Sequence, residues 1–148
     1  MNIRLPAEWE GQDGVLLSWP HPATDWADSL DRAEPVFVEI ARAISLFEKV
    51  LIATPSPDNV KNKLSAAGVP ENNIRVAEVD TNDTWSRDFG PITVVNDDKP
   101  KILDFRFNGW GNKFPAELDD KVTATLAGQG FFTSAPLEVD MVLRSEER

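Results

Sequence analysis

Cysteine is absent from this chain of 148 residues, and histidine occurs once. The first absence removes disulfides, Cys-held metals and any thiol nucleophile from these residues. Basic side chains are scarce beside acidic ones: 15 Lys plus Arg stand against 25 Asp plus Glu, for a net charge of -10. That balance argues against nucleic acid as a partner, which needs clustered Lys and Arg. It is compatible with a small cationic ligand. No apolar run approaches the roughly 20 residues of a membrane span, so no membrane partner is expected. The start, Met1-Asn2-Ile3-Arg4-Leu5-Pro6, lacks the apolar region of a secretory signal. A cytoplasmic location is the resulting expectation. What is present, 41% apolar and 9% aromatic residues, suits one folded domain with a fair core.

Periodicity predicts an α/β chain. Residues 1–13 are polar and read as an entry segment over the surface. Gly14-Val15-Leu16-Leu17-Ser18-Trp19 is a short buried strand ended by Pro20. Pro20 and Pro22 keep the next segment irregular. A helix follows on the stripe Leu30, Ala33, Phe37, Ile40, Ala41, Ile44 and Phe47, with its regular part expected to begin near Glu34 because of Pro35. Val50-Leu51-Ile52-Ala53 is a second buried strand. Ser56-Pro57-Asp58 opens a helix to about Ala67, and Gly68 and Pro70 close it. Residues 74–79 alternate as a strand. Ile92–Val95 and Ile102–Phe107 form a hairpin across Asn96-Asp97-Asp98. Leu118, Val122 and Leu126 mark a helix that Gly128 or Gly130 ends. Phe131-Phe132 and Leu137–Leu143 read as strands. The order alternates strand and helix with no linker, so residues 1–148 are expected to form a single, incomplete domain without an internal boundary. The polar tail Arg144–Arg148 follows a good strand without a cap, which suggests a truncation or a frayed end.

The chemistry is concentrated in Thr84-Trp85-Ser86-Arg87-Asp88-Phe89-Gly90-Pro91, between two of these strands. A carboxylate takes two parallel hydrogen bonds from a guanidinium, and an indole takes the face of the cation. Asp88 and Trp85 are therefore candidates for gripping such a group. The alternative is structural: Arg87 and Asp88 as an ion pair and Trp85 as core. Elsewhere the signals are weaker. His21 has no evident partner and reads as a surface residue. Ser18 lacks the context of a nucleophilic serine. Asp80, Asn82 and Asp83 begin like a calcium loop, but Trp85 and Pro91 occupy the positions that need Gly and Glu, so no metal is expected. Asp97-Asp98 reads as a turn and Asp119-Asp120 as a solvated helix face. Asn108-Gly109-Trp110-Gly111 reads as a tight turn with Trp110 as a packing plug, or as the lining of a site.

Four segments in order resemble one family. They are Leu5-Pro6-Ala7-Glu8-Trp9-Glu10, Leu16-Leu17-Ser18-Trp19-Pro20, Asn82–Pro91 and Phe107-Asn108-Gly109-Trp110-Gly111. Together they are similar to the agmatine deiminase and bacterial-type peptidylarginine deiminase family, from about Leu5 to Leu143. The resemblance implies a pentein-type α/β-propeller, of which this chain would be a partial copy, about the first two of five strand-and-helix units. It implies hydrolysis of a guanidine: agmatine to N-carbamoylputrescine and ammonia, as in putrescine biosynthesis, or peptidyl arginine to citrulline. No cofactor or metal takes part in that chemistry. A cysteine thiolate attacks the guanidinium carbon, a histidine moves protons and acidic residues hold the nitrogens. Carried over by motif, Asp88 is the catalytic, substrate-gripping carboxylate and Trp85 the aromatic wall. Arg87 and Gly90 support the loop. The family's Glu-Gly-Gly, His-x-Asp and Cys elements are missing, and Arg144-Ser145-Glu146 stands where the first is expected. The chain is thus expected to be an N-terminal fragment, inactive alone, or else a guanidinium-binding module without chemistry. Self-association through open sheet faces is a further expectation.

Overall fold

The structure is a computed structural model and describes Ile3–Val142. Leu143 and the tail Arg144–Arg148, whose truncated or frayed character was expected, lie outside the described residues. The elements run β1 Ile3–Arg4, β2 Gly14–Ser18, α1 Leu30–Ser45, β3 Lys49–Thr54, α2 Pro57–Ala66, β4 Ile74–Glu78, α3 Ser86–Phe89, β5 Ile92–Asn96, β6 Lys99–Arg106, α4 Gly109–Asn112, α5 Val122–Gly128 and β7 Leu137–Val142. The fold is mixed α/β, with two sheets. The residues gather into two compact units, Gln12–Ser86 and, separately, 1–11 with 87–148.

In the unit Gln12–Ser86 the sheet order is β2-β3-β4 and both pairings are parallel. A parallel strand flanked on both sides must hide both faces, so β3 reads as a nearly unbroken apolar run, Val50-Leu51-Ile52-Ala53. Val50, Ile52 and Ala53 are fully buried. α1 packs on β3, and α2 on β3 and β4. The core joins Trp19, Val38, Ala41, Val50, Ile52, Val60, Leu64 and Val69. Trp19 also donates its indole N–H to Glu34 Oε1 at 3.1 Å, and Glu34 Oε2 meets Lys63 Nζ at 3.0 Å.

α1 departs from expectation at both ends. It begins at Leu30, so Pro35 lies inside it. The cost is the bond that the Asp31 carbonyl would have received. Asp31 is exposed, and the helix runs on through Pro35 to Ser45. The buried stripe is Ala33, Val38, Ala41 and Ser45, whereas Ile40 and Phe47 face outward. α2 closes as the sequence predicts. Gly68 adopts a φ of 69°, its N–H bonds the Ser65 carbonyl at 2.9 Å, and Val69 N–H bonds that of Leu64 at 3.0 Å. This is the paired closure that a left-handed glycine permits.

In the other unit the sheet order is β1-β5-β6-β7. β5 and β6 form the expected hairpin, with Asp97 at φ 48° and Asp98 at φ 62° in the turn. β7 pairs parallel to β6. β1 was not expected: Ile3 and Arg4 pair antiparallel with Asn96 and Val95 of β5. Phe131-Phe132 is not a strand. Gly130, at φ 79°, closes α5, and the Phe131 N–H is bonded to the Leu126 carbonyl at 3.1 Å. Asp119 and Asp120 are not a solvated face either. Asp119 is buried, and Asp120 accepts the Phe107 N–H and faces Arg106 Nε at 3.5 Å. Asp120 thus caps a backbone N–H at a strand end, and Asp119 is withdrawn from water.

Candidate functional site

Parallel strands deliver their following loops to one edge, and such carboxyl edges commonly carry function. In the unit Gln12–Ser86 the loops after β2 and β4 meet there through side-chain hydrogen bonds. Ser18, at the end of β2 and 1% exposed, donates to the Asp83 carbonyl at 2.7 Å. Trp26 Nε1 donates to Thr84 Oγ1 at 2.9 Å. Ser86 Oγ donates to the Leu16 carbonyl at 3.0 Å. Three ties over five residues hold the 82–86 segment in one conformation.

His21 lies half-buried in the same assembly. Its Nδ1 accepts the Ala23 N–H at 3.3 Å, and its Nε2 lies 3.1 Å from the Thr81 hydroxyl. A ring that accepts at Nδ1 carries its proton at Nε2 when neutral. Burial lowers the His21 pKa below the ordinary 6.5, while Thr81, Asp83 and Asp80 pull it the other way. The histidine expected to be a surface residue without a partner is therefore a structural tie between two loops.

Trp85 sits at the end of this segment, 49% exposed. Its indole N–H is donated to Asp83 Oδ2 at 3.0 Å. Asp83 Oδ1 accepts the Thr84 N–H at 2.8 Å and faces the Thr84 hydroxyl at 3.4 Å. Asp83, which in the sequence reads only as part of an incomplete calcium loop, is thus the acid bonded to the Trp85 indole. The spacing of a carboxylate two residues before a tryptophan was the available signal, because a short acidic side chain there can reach an indole N–H. Among the described residues no group of three or more metal-ligating side chains is gathered.

The remaining candidates belong to the second unit. Asp88 lies in α3 and is half-buried. Arg87 is exposed and makes no ion pair among the described residues. Gly90 is half-buried and is not among the left-handed glycines, so φ alone does not demand glycine there. Phe89, buried behind Asp88 in sequence, has its ring centroid 6.0 Å from that of Phe107. Asn108–Asn112 is a left-handed turn, with Trp110 at φ 56° and Gly111 at φ 83°. Asn108 Oδ1 accepts the Gly111 N–H at 2.9 Å. Trp110 packs edge-on against Phe107 and Phe114, with centroids 5.1 and 5.7 Å away. Trp110 is thus the packing plug of a tight turn.

A mixed α/β chain with an aromatic and carboxylates on one ordered segment defines a class that the comparisons identify. The sequence model of the Porphyromonas-type peptidyl-arginine deiminases matches residues 4–143, and the chain belongs to that family. It is 36% identical over 121 residues to the agmatine deiminase of Medicago truncatula, covering 74% of this chain and 31% of the relative. Against the agmatine deiminase of Pseudomonas aeruginosa strain LESB58 it is 36% identical over 128 residues, 82% of this chain and 34% of the relative. Among solved structures, a C. jejuni agmatine deiminase with substrate bound superposes with a TM-score of 0.86 and 36% identity, over 95% of this chain and 40% of that one. The agmatine deiminase of Enterococcus faecalis superposes with a TM-score of 0.76 and 30% identity, over 93% and 38%. The chain spans about a third of the length of the curated relatives it matches.

Proposed function

We propose that this chain supplies the substrate-cation end of a guanidine hydrolase that converts agmatine to N-carbamoylputrescine and ammonia. Asp88 grips the guanidinium nitrogens as the catalytic carboxylate. Trp85 presents its ring to the planar cation, and Arg87 and Gly90 support the loop that carries both. The two units are portions of one deiminase domain with a pentein-type arrangement. The thiolate nucleophile and proton-shuttling histidine come from outside these residues, since the chain holds no cysteine and its one histidine is engaged with Thr81. A cytoplasmic setting belongs to the same reading. No helix among the described residues is long and apolar enough to cross a membrane.

The observation that carries this reading is family membership combined with the half-exposed indole of Trp85 in its diagnostic segment. A tryptophan held by hydrogen bonds yet left partly open is suited to stacking on a ligand. The family description favours a second substrate, peptidyl arginine, for the same chemistry. A binding module without turnover is the third reading. The exposed Leu137 and Met141 of β7 support self-association through that strand.

The test is a chimaera in which this chain replaces the matching third of the Pseudomonas aeruginosa relative. Ammonia release from agmatine is expected, and Asp88→Ala should lower it by about 100-fold or more. Release from a peptidyl arginine alone would give the second reading. Binding without product from either substrate would give the third, and neither binding nor product would end all of them.

A further inference from the structure

We propose that Asp83 is a positioning residue that fixes the indole of Trp85 for stacking on the substrate cation. This deepens the reading above and rests on it. Trp85, 49% exposed, follows a strand and precedes a one-turn helix, where a directional bond to its indole can select the rotamer. Its only polar atom is the Nε1 donor. That donor is committed to Asp83 Oδ2 at 3.0 Å, which fixes the ring plane as well as its position.

Asp83 is itself fixed from two sides. Its Oδ1 takes the Thr84 N–H at 2.8 Å, so the carboxylate cannot rotate freely. Its carbonyl takes the hydroxyl of Ser18 at 2.7 Å, and Ser18 closes β2 and is paired in register with Ala53 of β3. A continuous line of bonds thus runs from the buried sheet through Ser18 and Asp83 to an exposed ring. Thr84 adds a second anchor, since its hydroxyl receives the Trp26 indole N–H at 2.9 Å.

The chemistry demands a carboxylate. The two oxygens serve two different donors, the indole N–H and the Thr84 N–H, and both must accept. Asparagine has nearly the same shape but presents an NH2 group to one of them. Either the indole or the backbone would then face a donor. The negative charge at the ring edge also strengthens the attraction of the indole for a cation over its face. Asp83 does this without touching the substrate.

The test uses the whole 148-residue chain, labelled with 15N, and agmatine as ligand. Trp85→Phe assigns the Trp85 indole resonance among those of the five tryptophans. In the free protein, Asp83→Asn is expected to move that resonance upfield and hasten its exchange, leaving the other four in place. By calorimetry it should weaken agmatine binding about three- to tenfold, and the double variant should bind no worse than Trp85→Phe alone. Should Asp83→Asn unfold, Ser18→Ala loosens the same line of bonds and should shift the same resonance by less. An unmoved indole resonance overturns the proposal, as does unchanged affinity with a moved one. If the unaltered chain does not bind agmatine while the indole responds as described, the fault lies in the functional reading, and the positioning role falls with it.

Discussion

His21 Nε2 lies 3.1 Å from Thr81 Oγ1, so the only histidine of the chain joins the loop after β2 to the loop after β4. Thr81 is 2% exposed, and the contact is therefore largely shielded from water. The bond between two loops at one sheet edge has a pH signature.

Burial holds the His21 pKa below 6.5, against the pull of Thr81, Asp83 and Asp80. Below the ordinary value the unfolded chain takes up a proton that the native ring resists. Stability then falls as pH drops from about 7 through the ordinary value toward the native one. The ring protons of His21 should titrate with a midpoint below 6.5 in NMR. His21→Gln should flatten the rise in urea midpoint between pH 5 and pH 7. A midpoint at or above the ordinary value would contradict the burial argument.

Ser18→Ala removes the donor to the Asp83 carbonyl at a position only 1% exposed. The carbonyl is left without its partner, and the expected loss is about 1–2 kcal/mol. A urea midpoint lowered with an unchanged m-value is the expected readout. Trp26→Phe keeps the ring but removes the bond to Thr84, and should cost about 1 kcal/mol by the same measurement.

Much of this was legible in the sequence because its signals are local. The apolar run of β3 reads as a buried strand, and the structure places it in the middle of a parallel sheet. Gly68 and Ser56-Pro57 mark the ends of α2 by backbone chemistry within a few residues. The missed features depend on distant partners. β1 is two residues long and acquires its identity from Val95 and Asn96, about ninety positions away. Asp119 looks solvated until the chain around it is folded. The role of Asp83 is not legible in the sequence, because it depends on the rotamer by which the indole of Trp85 turns back to the acid two residues before it.

Gly109 is a position where only glycine fits. Its φ is 61°, and a Cβ would collide with the Phe114 carbonyl and press on Ala116. Gly109→Ala therefore combines left-handed strain with a backbone clash, at a cost of about 2–4 kcal/mol. The near-ultraviolet dichroism of the Phe107, Trp110 and Phe114 cluster should weaken in parallel with stability. A Gly109→Ala protein as stable as its parent would show that the turn relaxes without cost.

Asp104 on β6 makes the opposite prediction, a substitution that stabilises. Burial raises its pKa above the ordinary 3.8, and the neighbouring Asp120 and Glu138 raise it further, against a smaller opposing pull from the Thr123 hydroxyl. Arg106, two residues along the strand, is directed to Asp120 at 3.5 Å and Asp140 at 3.9 Å. Between the ordinary value and the raised one, the native chain holds a proton that the unfolded chain has released. Stability therefore decreases as pH rises through that window, and at neutral pH the ionised carboxylate costs stability. Asp104→Asn keeps the shape and removes the charge. Its urea midpoint should exceed that of the parent at pH 7, and the gain should vanish below the ordinary carboxylate value, where both chains are neutral at this position. A lower midpoint at pH 7 would mean that Asp104 makes a charge-dependent bond worth more than its burial and repulsion cost.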